Sequence, residues 1–133
     1  MTVCIVVLAP FSISACGGKK MYSVEGKVVW EDDSPASDLE GGTVQFDATD
    51  ASIGSQGTIL KDGVFKMTTV KPGDGVPTGE YRVLVTQPPS RKEIVVWIID
   101  KRFSNYDSSG LQFTVEKKSR KDVVFKVARA KKE

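Results

Sequence analysis

The chain has 133 residues, 19 Lys and Arg against 17 Asp and Glu for a net charge of +2, two cysteines and no histidine. The missing histidine removes the commonest general base, the commonest zinc ligand and any Ser-His-Asp triad. A length of this order suits one ordinary domain, so function must be sought in one fold and its ends.

At the start, Val3-Cys4-Ile5-Val6-Val7-Leu8-Ala9-Pro10-Phe11 is an uncharged apolar run. It is well short of the roughly 20 residues that span a bilayer. Ile13-Ser14-Ala15-Cys16-Gly17-Gly18 follows at once. A branched apolar residue, two small residues and then a cysteine resemble the lipobox of bacterial lipoproteins, whose signal peptidase admits only small side chains beside the scissile bond. The resemblance implies cleavage between Ala15 and Cys16, removal of residues 1–15, and acylation of the Cys16 sulfur and of the new amino terminus. Each buried methylene contributes about 0.8 kcal/mol, and two or three chains make a lasting anchor. Residues 16–21 then form a short tether, with Gly17 and Gly18 flexible and Lys19 and Lys20 at headgroup level. By the sorting rule of enteric-type bacteria, Gly17 in place of Asp favours the outer membrane, so a bacterial envelope location, at the outer membrane or periplasmic face, is expected. No Lys or Arg precedes the apolar core, a departure that a start codon assigned too far downstream would produce. The competing reading makes residues 3–15 a buried first strand.

Cysteine use follows from the same assignment. Cys4 leaves with the signal and Cys16 is acylated, so the mature chain of 118 residues has no thiol. No disulfide, thiolate metal site or cysteine nucleophile is then expected, and the core alone holds the domain together.

Beyond the tether, Tyr22, Val24, Gly26, Val28 and Trp30 share one parity while Ser23, Glu25 and Lys27 share the other, which is a half-buried strand. Glu31-Asp32-Asp33-Ser34-Pro35 breaks it, and a polar loop runs to Gly41-Gly42. Val44, Phe46 and Ala48 alternate with Thr43, Gln45, Asp47 and Thr49 as a second strand. A short third is expected around Gly57-Thr58-Ile59-Leu60, and a fourth places Phe65 and Met67 opposite Val64, Lys66 and Thr68. Between these two, Asp62-Gly63 predicts a hairpin turn, since both residues can take positive φ. The same pair tempts a calcium reading, but Lys61 and Val64 stand where further oxygen ligands would be needed, and no metal is expected.

Residues 71–79 are turn chemistry almost throughout. Tyr81, Val83 and Val85 then alternate with Glu80, Arg82 and Thr86 in a fifth strand stopped by Pro88-Pro89. Ile94-Val95-Val96-Trp97-Ile98-Ile99 is an unbroken apolar run of strand length, either buried on both faces or a covered edge. Leu111, Phe113 and Val115 form the next strand and Val123, Phe125 and Val127 the last, with Ser119-Arg120-Lys121 turning between them. No window beyond the tether has helical periodicity. Short alternating strands at spacings near ten residues predict an antiparallel β-sandwich.

Ser23-Val24-Glu25-Gly26-Lys27-Val28, Gly42-Thr43-Val44-Gln45-Phe46, Asp62-Gly63-Val64-Phe65 and Pro77-Thr78-Gly79-Glu80-Tyr81-Arg82-Val83 together resemble a carboxypeptidase regulatory-like domain. Ile99-Asp100-Lys101-Arg102-Phe103 with Ser109-Gly110-Leu111-Gln112-Phe113-Thr114-Val115 is similar to the C-terminal half of small bacterial lipoproteins built on that domain. The resemblance covers residues 22–128 and leaves 129–133 as a basic tail. It implies an all-β fold: a transthyretin-like antiparallel Greek-key β-sandwich of about seven strands. These motifs are turn and core residues, which specify fold more than function. The chain departs from the pattern at Asp100, where proline is usual, in a longer acidic loop at 31–40, and in the greasiness of Ile94–Ile99. A transthyretin-like relative that hydrolyses hydroxyisourate depends on histidines, so that activity is carried to no position here.

Charge is unevenly spread. Residues 117–133 hold eight basic side chains against Asp122 and Glu133, a net of +6, which leaves −4 for the rest. Such a segment reads as a solvated last strand with a frayed end, or as an attractor of anionic headgroups, acidic polysaccharide or nucleic acid. Aromatics are not interleaved with Arg as single-strand binders require, so nucleic acid is not expected as a partner. Carboxylates at Glu31, Asp32, Asp33, Asp38, Asp47 and Asp50 could pair for catalysis, but a loop full of carboxylates is usually solvated; no catalytic residue and no cofactor is assigned. Trp97 lies inside the apolar run and Trp30 continues an inward parity, so both read first as core. Tyr106, flanked by Asn105 and Asp107, reads as an exposed ring. The candidates for contact with an envelope protein or glycan are Tyr106, Arg102 and Trp97, beside the membrane reached through Cys16. The edge at Ile94–Ile99 offers strand addition as another mode. Three functions follow: an envelope-tethered interaction or structural module, a small-ligand or carbohydrate carrier resembling transthyretin, and an enzyme working through carboxylates.

Overall fold

The computed structural model describes residues 20–49, 54–71, 74–90 and 96–131. The lipobox with Ala15 and Cys16, and also Asp50, Ile94 and Val95, lie outside them. Nine strands are described: β1 (Met21–Tyr22), β2 (Val24–Trp30), β3 (Thr43–Ala48), β4 (Gly54–Thr58), β5 (Val64–Lys66), β6 (Val76–Pro77), β7 (Gly79–Thr86), β8 (Leu111–Val115) and β9 (Arg120–Val127). Seven of them make two sheets, ordered β5-β2-β9 and β4-β3-β7-β8, while β1 and β6 form a two-residue ribbon. The fold is an all-β sandwich.

The parity read from the sequence decides the core. Val24, Val28 and Trp30 of β2, Phe65 of β5 and Val123, Phe125 and Val127 of β9 are buried from one sheet. Val44 and Phe46 of β3, Tyr81, Val83 and Val85 of β7 and Val115 of β8 are buried from the other. The sheets meet through rings: Phe125 lies edge-on to Phe46 at 6.0 Å and to Phe113 at 6.1 Å, and stacks on Phe65 at 5.7 Å. Tyr81 satisfies its buried hydroxyl by donating to the Pro77 carbonyl at 2.7 Å.

Several expectations need correction. The sandwich is not wholly antiparallel, because β2 and β9 run parallel. Alternation has no direction, so parity alone could not tell this pair from an antiparallel one. The third strand sits earlier than expected, at Gly54–Thr58, with Ile59 and Leu60 beyond it. Arg120 and Lys121 belong to β9 and do not turn.

The Asp62-Gly63 turn has the expected backbone, with φ of 65° and 78°. Leu60 and Val64 are bonded across it, and Gln56 and Thr68 exchange both backbone hydrogen bonds farther down. Between those points the arms part, since Gly26 of β2 takes Phe65 and Lys27 takes Val64 as partners. The expected hairpin therefore straddles the two sheets.

The described part of the apolar run, Val96 to Ile99, is not a strand; Ile99 alone bridges to Arg129. The Gln87 side chain holds it, donating to the Val96 carbonyl at 2.9 Å and accepting from Ile98 N–H at 2.7 Å. The acidic loop is only partly solvated. Ala36 and Leu39 are fully buried, while Asp33 pairs with Lys126 at 2.8 Å and Asp32 approaches Arg129 at 3.9 Å. The Asp33 hydrogen bond raises the Lys126 pKa. Arg129 also lies over the Trp30 ring at 4.7 Å. Two charged stretches some ninety residues apart in sequence thus neutralise each other at one end of the sandwich.

Candidate functional site

The outer face of the four-stranded sheet carries Gln45 and Asp47 from β3, Gln56 from β4 and Arg82 from β7, since their neighbours in each strand point inward. Across this face runs an excursion made of a 3-10 turn, Lys101–Ser104, and a one-turn helix, α1 (Tyr106–Ser109). Its local sequence supplies its own caps. The Asp100 carboxylate accepts from Arg102 N–H at 3.1 Å, and Asn105 Oδ1 accepts from Asp107 N–H at 2.9 Å. Ser108 Oγ donates to the Arg102 carbonyl at 2.7 Å, and Ser109 Oγ donates to the Val83 carbonyl of β7. Phe103, only 3% exposed, anchors the excursion.

Arg82 organises the chemistry here. Its guanidinium donates to Asp47 Oδ2 at 2.8 Å and to Asp107 Oδ1 at 3.0 Å, and lies 5.5 Å from the centre of the Tyr106 ring. The Asp47 hydrogen bond raises the Arg82 pKa. Burial, with the Asp47 carboxylate second, raises that of the Tyr106 phenol, so Tyr106 stays neutral and able to donate at physiological pH. Exposed ion pairs of this kind add little to stability. Their effect is geometric: a planar cation with two fixed carboxylates holds the ring in place.

Beside that ring runs a groove of about 300 Å³ lined by Gln45, Ser55, Gln56, Thr68, Thr69 and Tyr106. Amides and hydroxyls beside an aromatic face suit a sugar ring or an extended peptide, both of which combine an apolar face with closely spaced hydrogen-bonding groups. A second cleft, about 370 Å³, opens where the edge strands β8 and β9 lie next to each other, with Leu111, Phe113, Val123 and Phe125 in its wall.

The three candidate contact residues fall on one stretch of chain but do not converge. Tyr106 is half-buried, contrary to the exposed ring expected, because it leans on Arg82. Arg102 is exposed and covers Phe103 at 4.6 Å. Trp97 is a surface residue, 37% exposed with Lys101 Nζ 5.3 Å from its ring, and so is not the core residue that the apolar run suggested. Trp30 is core as expected, 1% exposed. No ring contact joins Trp97 and Tyr106 among the described residues.

Asp47, Arg82 and Asp107 escaped the sequence as a group. Each sits on an outward position, and only the β3–β7 register, which pairs Asp47 with Arg82, brings the first two together. Among the described residues no three Asp, Glu, Cys or His side chains gather as metal ligands, and no helix is long and apolar enough to cross a membrane. Comparison of the chain with protein-family models, with curated proteins and with solved structures finds no match.

Proposed function

We propose that the chain is a non-catalytic bacterial lipoprotein: acylated at Cys16, held at the envelope membrane, and using a carboxypeptidase regulatory-like β-sandwich of transthyretin-like Greek-key topology as an interaction module. The observation that carries this reading is a spacing. The first described strand opens at Met21, five residues after Cys16, so a lipobox stands immediately before a folded domain with only a short leash between. The groove beside Tyr106 is the contact face of the module, and envelope glycan or an extended protein segment is what its chemistry suits. A glycan is the better fit, because the ring lies beside the paired amides of Gln45 and Gln56.

The described core lies wholly between Val24 and Ala128, so a chain of residues 16–133 with Cys16→Ser carries all of it without the lipid. This chain is titrated with soluble fragments of envelope polysaccharide and crosslinked to isolated envelopes. Retention is expected, weakened about tenfold by Tyr106→Ala, the loss of roughly one ring-face contact. Equal retention of both chains would take the groove out of the account. Failure of either chain to retain any envelope component would remove the module reading.

A further inference from the structure

One pole of the sandwich collects charge that the fold leaves unneutralised. β2 and β9 start there together, with Arg120 N–H bonded to the Ser23 carbonyl at 2.8 Å. β1 pairs Met21 with Pro77 and Tyr22 with Val76, and β8 ends there, with Val115 opposite Gly79. Met67 N–H bonds the Val24 carbonyl, so the turn that follows Thr68 reaches the same end. Lys20, the first described residue, precedes β1 at this pole. Lys20, Lys71, Lys117, Lys118 and Lys121 are all exposed at it.

Lys118 pairs with Glu116 at 3.5 Å, but the other four lysines have no carboxylate partner among the described residues. Two of the pole's acids are already engaged: Asp122 accepts from Arg120 at 3.0 Å, and Asp74 accepts backbone N–H groups from Thr69, Val70 and Lys71 at 2.8, 2.9 and 2.9 Å. Those bonds, the one from Lys71 foremost, hold the Asp74 carboxyl below its ordinary value of 3.8. They also fix the turn that presents Val70, which at 76% is the most exposed large hydrophobic side chain among the described residues. At the opposite pole the charge is mixed, with Glu31, Asp38 and Glu40 beside the Asp33–Lys126 and Asp32–Arg129 pairs.

We propose that the lysine pole is a membrane-facing surface: Lys20, Lys71, Lys117, Lys118 and Lys121 lie among anionic phospholipid headgroups and Val70 enters the interface. The orientation rests on the lipoprotein reading, because a leash of a few residues from Cys16 brings this end of the sandwich to the bilayer and no other. A cationic side chain near such a surface contributes about 1 kcal/mol, or about a fivefold change in partitioning, and the attraction fades within a Debye length. Acyl chains would supply the hold and the lysines the posture.

The test uses the lipid-free chain of residues 16–133 with Cys16→Ser, sedimented with vesicles of phosphatidylcholine alone or with about one-third phosphatidylglycerol. Retention is expected on the anionic vesicles only, and loss of it in high salt. Replacing Lys71, Lys117 and Lys118 together by Gln should lower partitioning about 100-fold, and Val70→Asp should lower it further. Replacing Lys61 and Lys131 by Gln, which alters only the far pole, should leave it unchanged. Equal binding to neutral vesicles, an equal loss from the far-pole pair, or binding to acidic polysaccharide but not to vesicles would overturn the proposal. Because no acyl group is present, failure here leaves acylation at Cys16 untouched, and failure of acylation leaves the vesicle result standing.

Discussion

Phe46→Ala is expected to lower the unfolding free energy by about 3–5 kcal/mol, the range for truncating a fully buried aromatic. The Phe46 ring has no exposure and is the meeting point of the two sheets. It lies 5.6 Å from Tyr81, 5.6 Å from Phe113 and 6.0 Å from Phe125, so its loss leaves a cavity bounded by three other rings that cannot all collapse into it. The comparison that isolates the effect is Trp97→Ala. Trp97 is the larger side chain but sits at the surface, and its removal should cost no more than about 1 kcal/mol. Urea unfolding of both variants checks the pair through the shift in midpoint at constant slope. A Trp97 change as large as the Phe46 change would mean that Trp97 belongs to the core after all.

Gly26→Ala is the second large effect, and its cause is the opposite one. A Cβ at residue 26 would stand 2.0 Å from the Val123 carbonyl oxygen and 2.7 Å from its carbon. Both are backbone atoms of the parallel partner strand, so they cannot swing aside as a side-chain end would. The register of β2 on β9 shifts between Val24 and Gly26, and this shift brings the two backbones so close. Overpacking of a buried site costs about 1–3 kcal/mol where neighbours can yield. Here the parallel ladder itself must open, and a loss of about 3 kcal/mol or more is expected, a fall in Tm of about 10 °C or more. Gly54→Ala offers the contrast, since its Cβ would meet the Phe46 carbonyl oxygen at an ordinary 3.5 Å. That change should be neutral or raise stability by up to about 1 kcal/mol through the unfolded state.

These two positions also mark how far the sequence could be read. Phe46 was legible, because period-two alternation in Thr43–Ala48 assigns its face without knowledge of any partner. The same holds for Trp30, Tyr81, Val83 and Phe125. Gly26 was legible as a strand residue but not as a contact, since nothing local says that the first and last long strands lie side by side and parallel. Asp62 and Gly63 announced their turn correctly and concealed its consequence, because which sheet receives each arm depends on β2, some forty residues away. The apolar run was legible only in part: Ile99 is buried, as its apolarity suggested, whereas Trp97 lies at the surface beside Lys101, and the backbone around it is held by the Gln87 side chain and by Ala130 N–H on the Ile98 carbonyl. The Arg82 cluster was invisible for a related reason. Outward charged residues look solvated until register places Asp47 beside Arg82 and the 101–109 excursion lowers Asp107 and Tyr106 onto them. Strand faces are local information, while pairing and surface clusters are not.

The compartment, the facing of the lysine pole and the choice of envelope partners all depend on the anchor. The most direct test is the intact mass of the protein recovered from the membrane fraction of the cells that make it, beside that of a Cys16→Ser chain. A mature chain beginning at Cys16 and carrying acyl chains is expected, with the Ser version released or left unprocessed. A full-length unmodified mass in the soluble fraction would contradict it, return residues 1–15 to the folded protein, and make Cys4 and Cys16 free thiols again.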